Sequence, residues 1–345
     1  MKKLRFFGSR VVKTGVAVFL TSLLCQWLGW PAVFAVITAI VTIEPTVSDS
    51  IKKGIVRLPA SAIGSAYAVM FIFLFGNSPI TYTAAALFTI ITCFRLNLHA
   101  GLLVATLTSV AMIEVIHDNF FIAFLIRLGT TSIGLLISTV VNMFVLPPNY
   151  TKNITSNINS LLSTYGVELD NIIKVIIGGV TQQSKEKYVK ETFSQLKVKL
   201  DKTEMLLQFQ KDEAKYHRLD EQGKKIFQQE QEKLSSLRLI YYHFGNLINT
   251  ELEKVSWDNQ ECQSIITAVE TLAHAMKNPE QFDPAIHRLQ VHDLLQRFWT
   301  SKQRTINEEN NEKAAFFSSE IIILYELLSI YNLVELLLTD QDITT

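Results

Sequence analysis

The sequence predicts an all-α, polytopic membrane protein with a helical, water-facing C-terminal half. Two observations predict it. Long apolar runs with little charge between them fill residues 11–146, whereas residues 150–345 carry most of the charge. The signs separate too: residues 1–149 hold 10 Lys plus Arg against 4 Asp plus Glu, and the remainder holds 22 against 28. The formal net charge of zero is thus a cancellation between halves that must be read apart. A transmembrane domain is expected over 1–149 and a cytoplasmic helical domain over 150–345.

The membrane half divides into six segments, about 14–30, 31–47, 56–76, 79–94, 100–117 and 120–146. Crossing about 30 Å of hydrocarbon takes about 20 helical residues. The first, second and fourth segments are short. Either they cross fully with Trp27, Trp30 and Tyr82 at the interface, or they are partial helices shielded by protein. The basic start, MKKLRFFGSRVVKTG, leads into VAVFLTSLLCQWLGW without a small-x-small cleavage site, so it reads as a retained first helix. Pro31 and Pro79 stand where helices restart, which suits their missing N–H.

Charge sets the expected orientation. Lys2, Lys3, Arg5, Arg10 and Lys13 precede the first helix, Lys52, Lys53 and Arg57 separate the second and third, and Arg95 separates the fourth and fifth. The alternate turns, Gly29-Trp30-Pro31, Asn77-Ser78-Pro79 and His117-Asp118-Asn119, hold no Lys or Arg. The positive-inside rule then places the N-terminus, both basic loops and the C-terminal half in the cytoplasm.

Ionisable residues at membrane depth are the candidate functional groups. Glu44 precedes Pro45, so it should sit at a helix break. It reads either as a proton or substrate site or as an interfacial carboxylate facing Lys52, Lys53 or Arg57. Arg127 lies about two turns inside the last segment and must stay charged. It needs a carboxylate, a water-filled cavity or a route to the interface. Glu114 is its natural partner, and anion binding is the other reading. Small residues four apart, Ala60-x-x-x-Gly64-x-x-x-Ala68 and Thr130-x-x-x-Gly134-x-x-x-Ser138, let helix backbones approach closely. Asn142 shares the Arg127 and Gly134 side of its helix and is an interhelical hydrogen-bond donor candidate.

Pro147-Pro148 ends the membrane half. Residues 153–178 form one amphipathic stretch, Gly178-Gly179 marks a break, and 182–240 reads as long hairpin or coiled-coil helices interrupted near Gly223. Further helices are expected at 238–254, 258–276, 284–299 and 312–337. The last is apolar, but Glu320, Glu326 and Glu335 favour a buried bundle helix over a seventh crossing. Interleaved charges give no nucleic-acid footprint. His217, His243, His274, His287 and His292 are not paired at i,i+4, so no metal site is expected. Cys25, Cys93 and Cys262 lack ligand spacing and read as packing residues. Neither a Walker-type phosphate loop nor a G-x-S-x-G elbow occurs, so no cofactor is expected and the chain does not read as an enzyme.

PAVFAVITAIVTIEPTVSDSIKKGIVRLPASAIGSAYA (31–68) and IRLGTTSIGLLISTVVNMFVLPP (126–148) resemble the aromatic acid exporter family, within the wider fusaric-acid-resistance-like group. The carriers are Pro31, Pro45, Thr46, Ser50, Arg57 and Gly64, then Arg127, Thr131, Gly134, Asn142 and Pro147. The resemblance implies six short membrane helices, a cytoplasmic helical domain, and proton-gradient-driven export of aromatic carboxylic acids across the cell membrane. Arg57 and Arg127 would then hold the carboxylate, Phe34 and Phe71 would flank the ring, and Glu44 or Glu114 would exchange the proton. Larger relatives duplicate the membrane unit, so a single copy implies a homo-oligomer, a dimer in the simplest case. The expected partners are the lipid bilayer and small organic anions, not nucleic acid. The alternative is a non-transporting membrane scaffold or regulatory protein whose helical bundle binds a partner.

Overall fold

The computed structural model describes residues 8–114, 119–177, 182–250, 257–308 and 318–339. The Gly178-Gly179 break, His117-Asp118 and the first three basic residues lie outside them. Twelve α-helices, and no strand, occur among the described residues. They divide into two compact units. Unit 1 is residues 1–149 with Phe209–Arg218, and unit 2 is Tyr150–Gln208 with residues 219–345.

Unit 1 contains α1 (Ser9–Trp27), α2 (Ala32–Thr42), α3 (Val47–Phe75), α4 (Pro79–Arg95), a 3-10 turn (His99–Gly101), α5 (Leu102–Ile113) and α6 (Phe120–Phe144). Of these, α3 and α6 are long and apolar enough to cross a membrane. The helix at 32–42, α4 and the stretch from His99 to Ile113 are apolar but shorter. Eleven residues of α2 rise only about 16 Å, half a hydrocarbon core. Six short membrane helices were expected, crossing fully or in part; among the described residues of this unit, two helices are both long and apolar enough to cross, and α1, at 19 residues, is long enough but not apolar enough.

The largest shift in boundary is at α3, expected from about 56 but beginning at Val47. Thr46 caps it, its hydroxyl accepting from the Asp49 N–H at 3.0 Å. Asp49 itself sits in the first turn, where a negative charge suits the helix dipole. Lys52, Lys53 and Arg57 are therefore helical rather than in a loop. At the far end of the unit, α6 stops at Phe144 before Leu146, which takes a positive φ of 49°, and the Pro147-Pro148 pair.

Unit 2 holds α7 (Thr151–Ile177), most of α8 (Gln182–Glu213), α9 (Glu221–Asn249), α10 (Asn259–Lys277), α11 (Pro284–Glu308) and α12 (Ser319–Thr339). One core joins Ile158, Tyr165, Leu169, Phe244, Leu272, Leu324 and Tyr331. The break in the long hairpin falls at 214–220, ahead of Gly223, whose N–H donates to the capping Asp220 carboxylate at 2.8 Å. No break occurs near 238, because α9 runs on to Asn249. By length and composition α12 could cross a membrane. Two of its acidic residues have partners in this unit. Glu326 is bonded to His243 at 2.5 Å and Asn246 at 3.0 Å, and Glu335 lies 3.6 Å from Arg288.

Candidate functional site: a buried polar seam

Unit 1 is threaded by hydroxyl, amide and charged side chains that its small residues leave room for. The α3–α6 pair sets the register. Ser50 Oγ accepts from Asn142 Nδ2 at 2.9 Å, and Ser61 and Thr131 share a hydrogen bond at 3.1 Å. Each step covers eleven residues, forward in α3 and backward in α6, so the helices are antiparallel. Eleven residues is about three turns, which returns each helix to the same face about 16 Å further on. Thr38, Thr42, Ser65, Thr108, Thr130 and Ser138, all buried, continue the stripe. Most of these hydroxyls bond back to a carbonyl in their own helix, which satisfies them without solvent.

The end of the seam that carries the basic residues is built around the helix break at Pro45. Glu44 accepts from Arg57 Nη2 at 2.7 Å and from Lys53 Nζ at 2.9 Å. Arg57 Nε also donates to the Ala100 carbonyl at 3.2 Å, while its Nη1 is buried without a partner. Asn142 Nδ2 donates to the backbone carbonyls of Glu44 at 3.1 Å and Thr46 at 3.3 Å. The Glu44 carbonyl lies at the break itself, whereas the Thr46 carbonyl also accepts the first helical bond of α3, from the Ser50 N–H at 3.1 Å. Lys13, 4% exposed, donates to Asn142 Oδ1 at 2.7 Å and to its carbonyl at 3.2 Å.

Arg127 lies one turn beyond Thr131, towards the opposite end. It is 3% exposed. One terminal nitrogen, Nη2, donates to the Thr108 hydroxyl, and Phe34 covers the guanidinium face with its ring centroid 4.2 Å away. Both Nε and Nη1 are buried and have no hydrogen-bond partner among the described residues. The expected Glu114–Arg127 pair does not form. Glu114 accepts instead from the Tyr82 hydroxyl at an exposed position. The cation is thus held by a ring face and a hydroxyl, with two donors left over, an arrangement that a carboxylate would complete.

The remaining expected residues separate by role. Phe71 belongs to an aromatic cluster with Tyr67, Phe75 and Phe88, in a core of Ala68, Ala85, Met112 and Ile113. Phe34 belongs with Arg127. A Cβ at Gly64 would run into the Ala105 carbonyl, and one at Gly134 into the Ala35 carbonyl. These two glycines set the α3–α5 and α2–α6 distances, and so the width of the seam. Cys25 and Cys93 are buried, and Cys262 is half-buried.

Sequence reasoning missed three contributors. Lys13 reads as flanking charge, yet Lys13, Ala17, Thr21 and Cys25 recur every four residues and form the buried face of α1. That spacing is the signal that could have found it. Thr108 carries no mark beyond its polarity in an apolar run. Glu213 belongs to unit 1 through the Phe209–Arg218 segment, and no local pattern announces that.

A family model described as aromatic acid exporter family member 1 matches residues 5–145. The chain is 45% identical over 337 residues to a UPF0421 protein of Oceanobacillus iheyensis, covering 97% of this chain and 96% of that protein. It is 42% identical over 336 residues to a UPF0421 protein of Bacillus cereus, covering 97% and 94%. A UPF0421 protein of Staphylococcus haemolyticus is 37% identical over 332 residues, covering 95% and 98%.

Proposed function

The chain belongs to the aromatic acid exporter family, and from that premise we propose that it carries aromatic carboxylate anions out of the cytoplasm along the seam of unit 1. The observation that supports this reading most is Arg127: a buried guanidinium with two unpartnered nitrogens and an aromatic ring on its face. A charge taken out of water without a counter-charge costs several kcal/mol, of the order of the Born penalty left after relaxation. A cargo carboxylate supplies that counter-charge, and apolar side chains nearby accommodate its ring.

In this reading the basic end faces the cytoplasm. Arg57, held by Glu44 and carrying its own spare donor, receives the carboxylate first, and Arg127 binds it about two turns further along. A negative-inside potential favours outward movement of the anion. Coupling to the proton gradient falls to Glu114. Glu44 is engaged by two cations, whereas Glu114 is exposed and held by a phenol hydroxyl. The test is efflux of radiolabelled 4-hydroxybenzoate from proteoliposomes, with and without a pH gradient. Gradient-dependent efflux that Arg127→Ala abolishes is expected. Leakage equal to that of protein-free vesicles would end the reading for this substrate class.

A further inference from the structure

Unit 2 contains a cavity of about 360 Å³, bounded by α10, α11, α12 and the turn that leads into α11. Small-molecule pockets run from about 300 to 1,000 Å³, so a single-ring compound fits it. One wall is aromatic. The Phe282 and His287 ring centroids are 5.2 Å apart, and those of His287 and Tyr331 are 4.9 Å apart. The Tyr331 hydroxyl donates to the Ala268 carbonyl at 2.5 Å, which fixes that ring and uses its proton.

Charge then selects among ligands. Two carboxylates, Glu270 and Asp283, line the cavity together with the imidazoles of His274 and His287, and no Lys or Arg is among its lining residues. Glu270 is shared with Lys174 at 3.2 Å. Asp283 is paired with no cation among the described residues. Its Oδ1 accepts from the Ala285 N–H at 2.8 Å and the Ile286 N–H at 3.5 Å. His287 is 4% exposed, and its buried Nε2 has no hydrogen-bond partner among the described residues. Glu335 Oε2, at 3.8 Å, is beyond hydrogen-bond distance. Burial holds this imidazole below its ordinary value of 6.5, so at neutral pH it adds no positive charge to the wall. An entering anion meets carboxylates and no countercharge. An entering cation meets carboxylates and aromatic rings, both of which attract it.

We propose that this cavity binds a small aromatic ammonium, with the ligand's ring against Phe282, His287 and Tyr331 and its charged nitrogen at Asp283. The unmade bond at His287 points the same way. A buried polar atom without a partner calls for an explanation, and a cavity beside it that holds a donor-bearing ligand supplies one. The ligand class is opposite in charge to the carboxylates assigned to the seam of unit 1. The site is therefore not a second cargo site, and it stands whether or not the chain exports aromatic acids.

Benzylamine, protonated at neutral pH, is the probe. Equilibrium dialysis of the radiolabelled compound against the detergent-solubilised full chain, with protein-free micelles as background, should show saturable binding. Benzyl alcohol and benzoate carry the same ring with no charge and with a negative charge. Benzyl alcohol should compete only at severalfold higher concentration, and benzoate should not compete. Asp283→Asn keeps a side chain suited to the start of α11 but removes the charge, and should weaken binding severalfold. Thr271→Trp places a large ring in the cavity and should abolish it. Ile286, 47% exposed, also lines the cavity, so Ile286→Cys gives a local readout with the other lining residues intact. Saturating benzylamine should slow its labelling by a hydrophilic maleimide severalfold. Labelling of the native Cys262, followed by peptide mass in the same sample, should not change. Absence of saturable binding, benzoate competing as well as benzyl alcohol, or binding retained in Thr271→Trp would each overturn the proposal. So would Ile286→Cys labelling that benzylamine leaves unchanged, and this arm decides the matter even where the Trp variant folds poorly.

Discussion

Phe34 covers the guanidinium of Arg127 at 4.2 Å, and no carboxylate among the described residues is hydrogen-bonded to that cation. A ring over a desolvated guanidinium contributes about 2 kcal/mol, less than the several kcal/mol that burial of the charge costs. The arginine is therefore a net destabilising element of unit 1 in the absence of an anion. Sites that sacrifice stability in this way are where ligand binding recovers it.

That balance predicts opposite movements of stability and binding. Arg127→Met should raise the melting temperature of the detergent-solubilised protein, because replacing a buried charge with an apolar chain of similar length gains about 1–4 kcal/mol. The same variant should lose the upward thermal shift that benzoate gives the unsubstituted protein. A melting temperature that falls sharply in Arg127→Met would mean that the cation is structural.

Arg57 is the contrasting case, since its carboxylate partner is present at 2.7 Å. Glu44→Gln leaves Arg57 and Lys53 without that charge, and Arg57 is buried, so a loss of about 3–5 kcal/mol is expected. Removing both charges, in Glu44→Gln with Arg57→Met, should recover most of it. Unfolding midpoints of the two single variants and the double variant give the coupling directly. Additive losses would show that the pair is not coupled.

How far the sequence could be read follows from which interactions are local. Helix existence was legible because apolar periodicity, Pro31, Pro79 and Pro147 are local signals. The start of α3 was not, because Lys52 and Lys53 look like loop charges unless the Thr46–Asp49 cap is weighed first. Arg127 stood out as rare charge at depth, but its partner did not. Glu114 was near in depth, whereas Thr108 and Phe34 were chosen by how α2, α5 and α6 pack. Glu213 lies 166 residues from Val47, and a contact of that range leaves no periodic trace.

The tight glycines give a prediction about the scaffold. Gly64→Ala and Gly134→Ala each put a methyl group against a neighbouring helix's backbone carbonyl, which no rotamer change can relieve. Each should cost about 1–3 kcal/mol and widen the seam. Gly15→Ala meets open space and should be neutral or slightly stabilising, since alanine favours the helix. Parallel thermal melts of the three variants check this, and equal melting temperatures would remove the close-packing account.

His287 in α11 makes stability depend on pH. It is 4% exposed and its buried Nε2 has no hydrogen-bond partner among the described residues, in a cavity it shares with Phe282, Asp283, His274 and Tyr331. Burial holds the imidazole below its ordinary value of 6.5. Glu335, 3.8 Å away, opposes that shift, and Arg288 adds to it. Above about pH 6.5 the ring is neutral whether the chain is folded or unfolded, so it contributes no pH dependence. As pH falls through 6.5 the unfolded chain takes up the proton and the folded chain does not. Stability therefore drops, by at most about 1.4 kcal/mol per pH unit, until the depressed folded value is reached. His287→Leu removes the titrating group and should flatten the fall in unfolding midpoint between pH 7.5 and 5.5. Carboxylates that titrate nearby are common to both proteins, so the difference between the two pH profiles isolates the ring. Profiles that superimpose would mean that His287 protonates freely in the folded state.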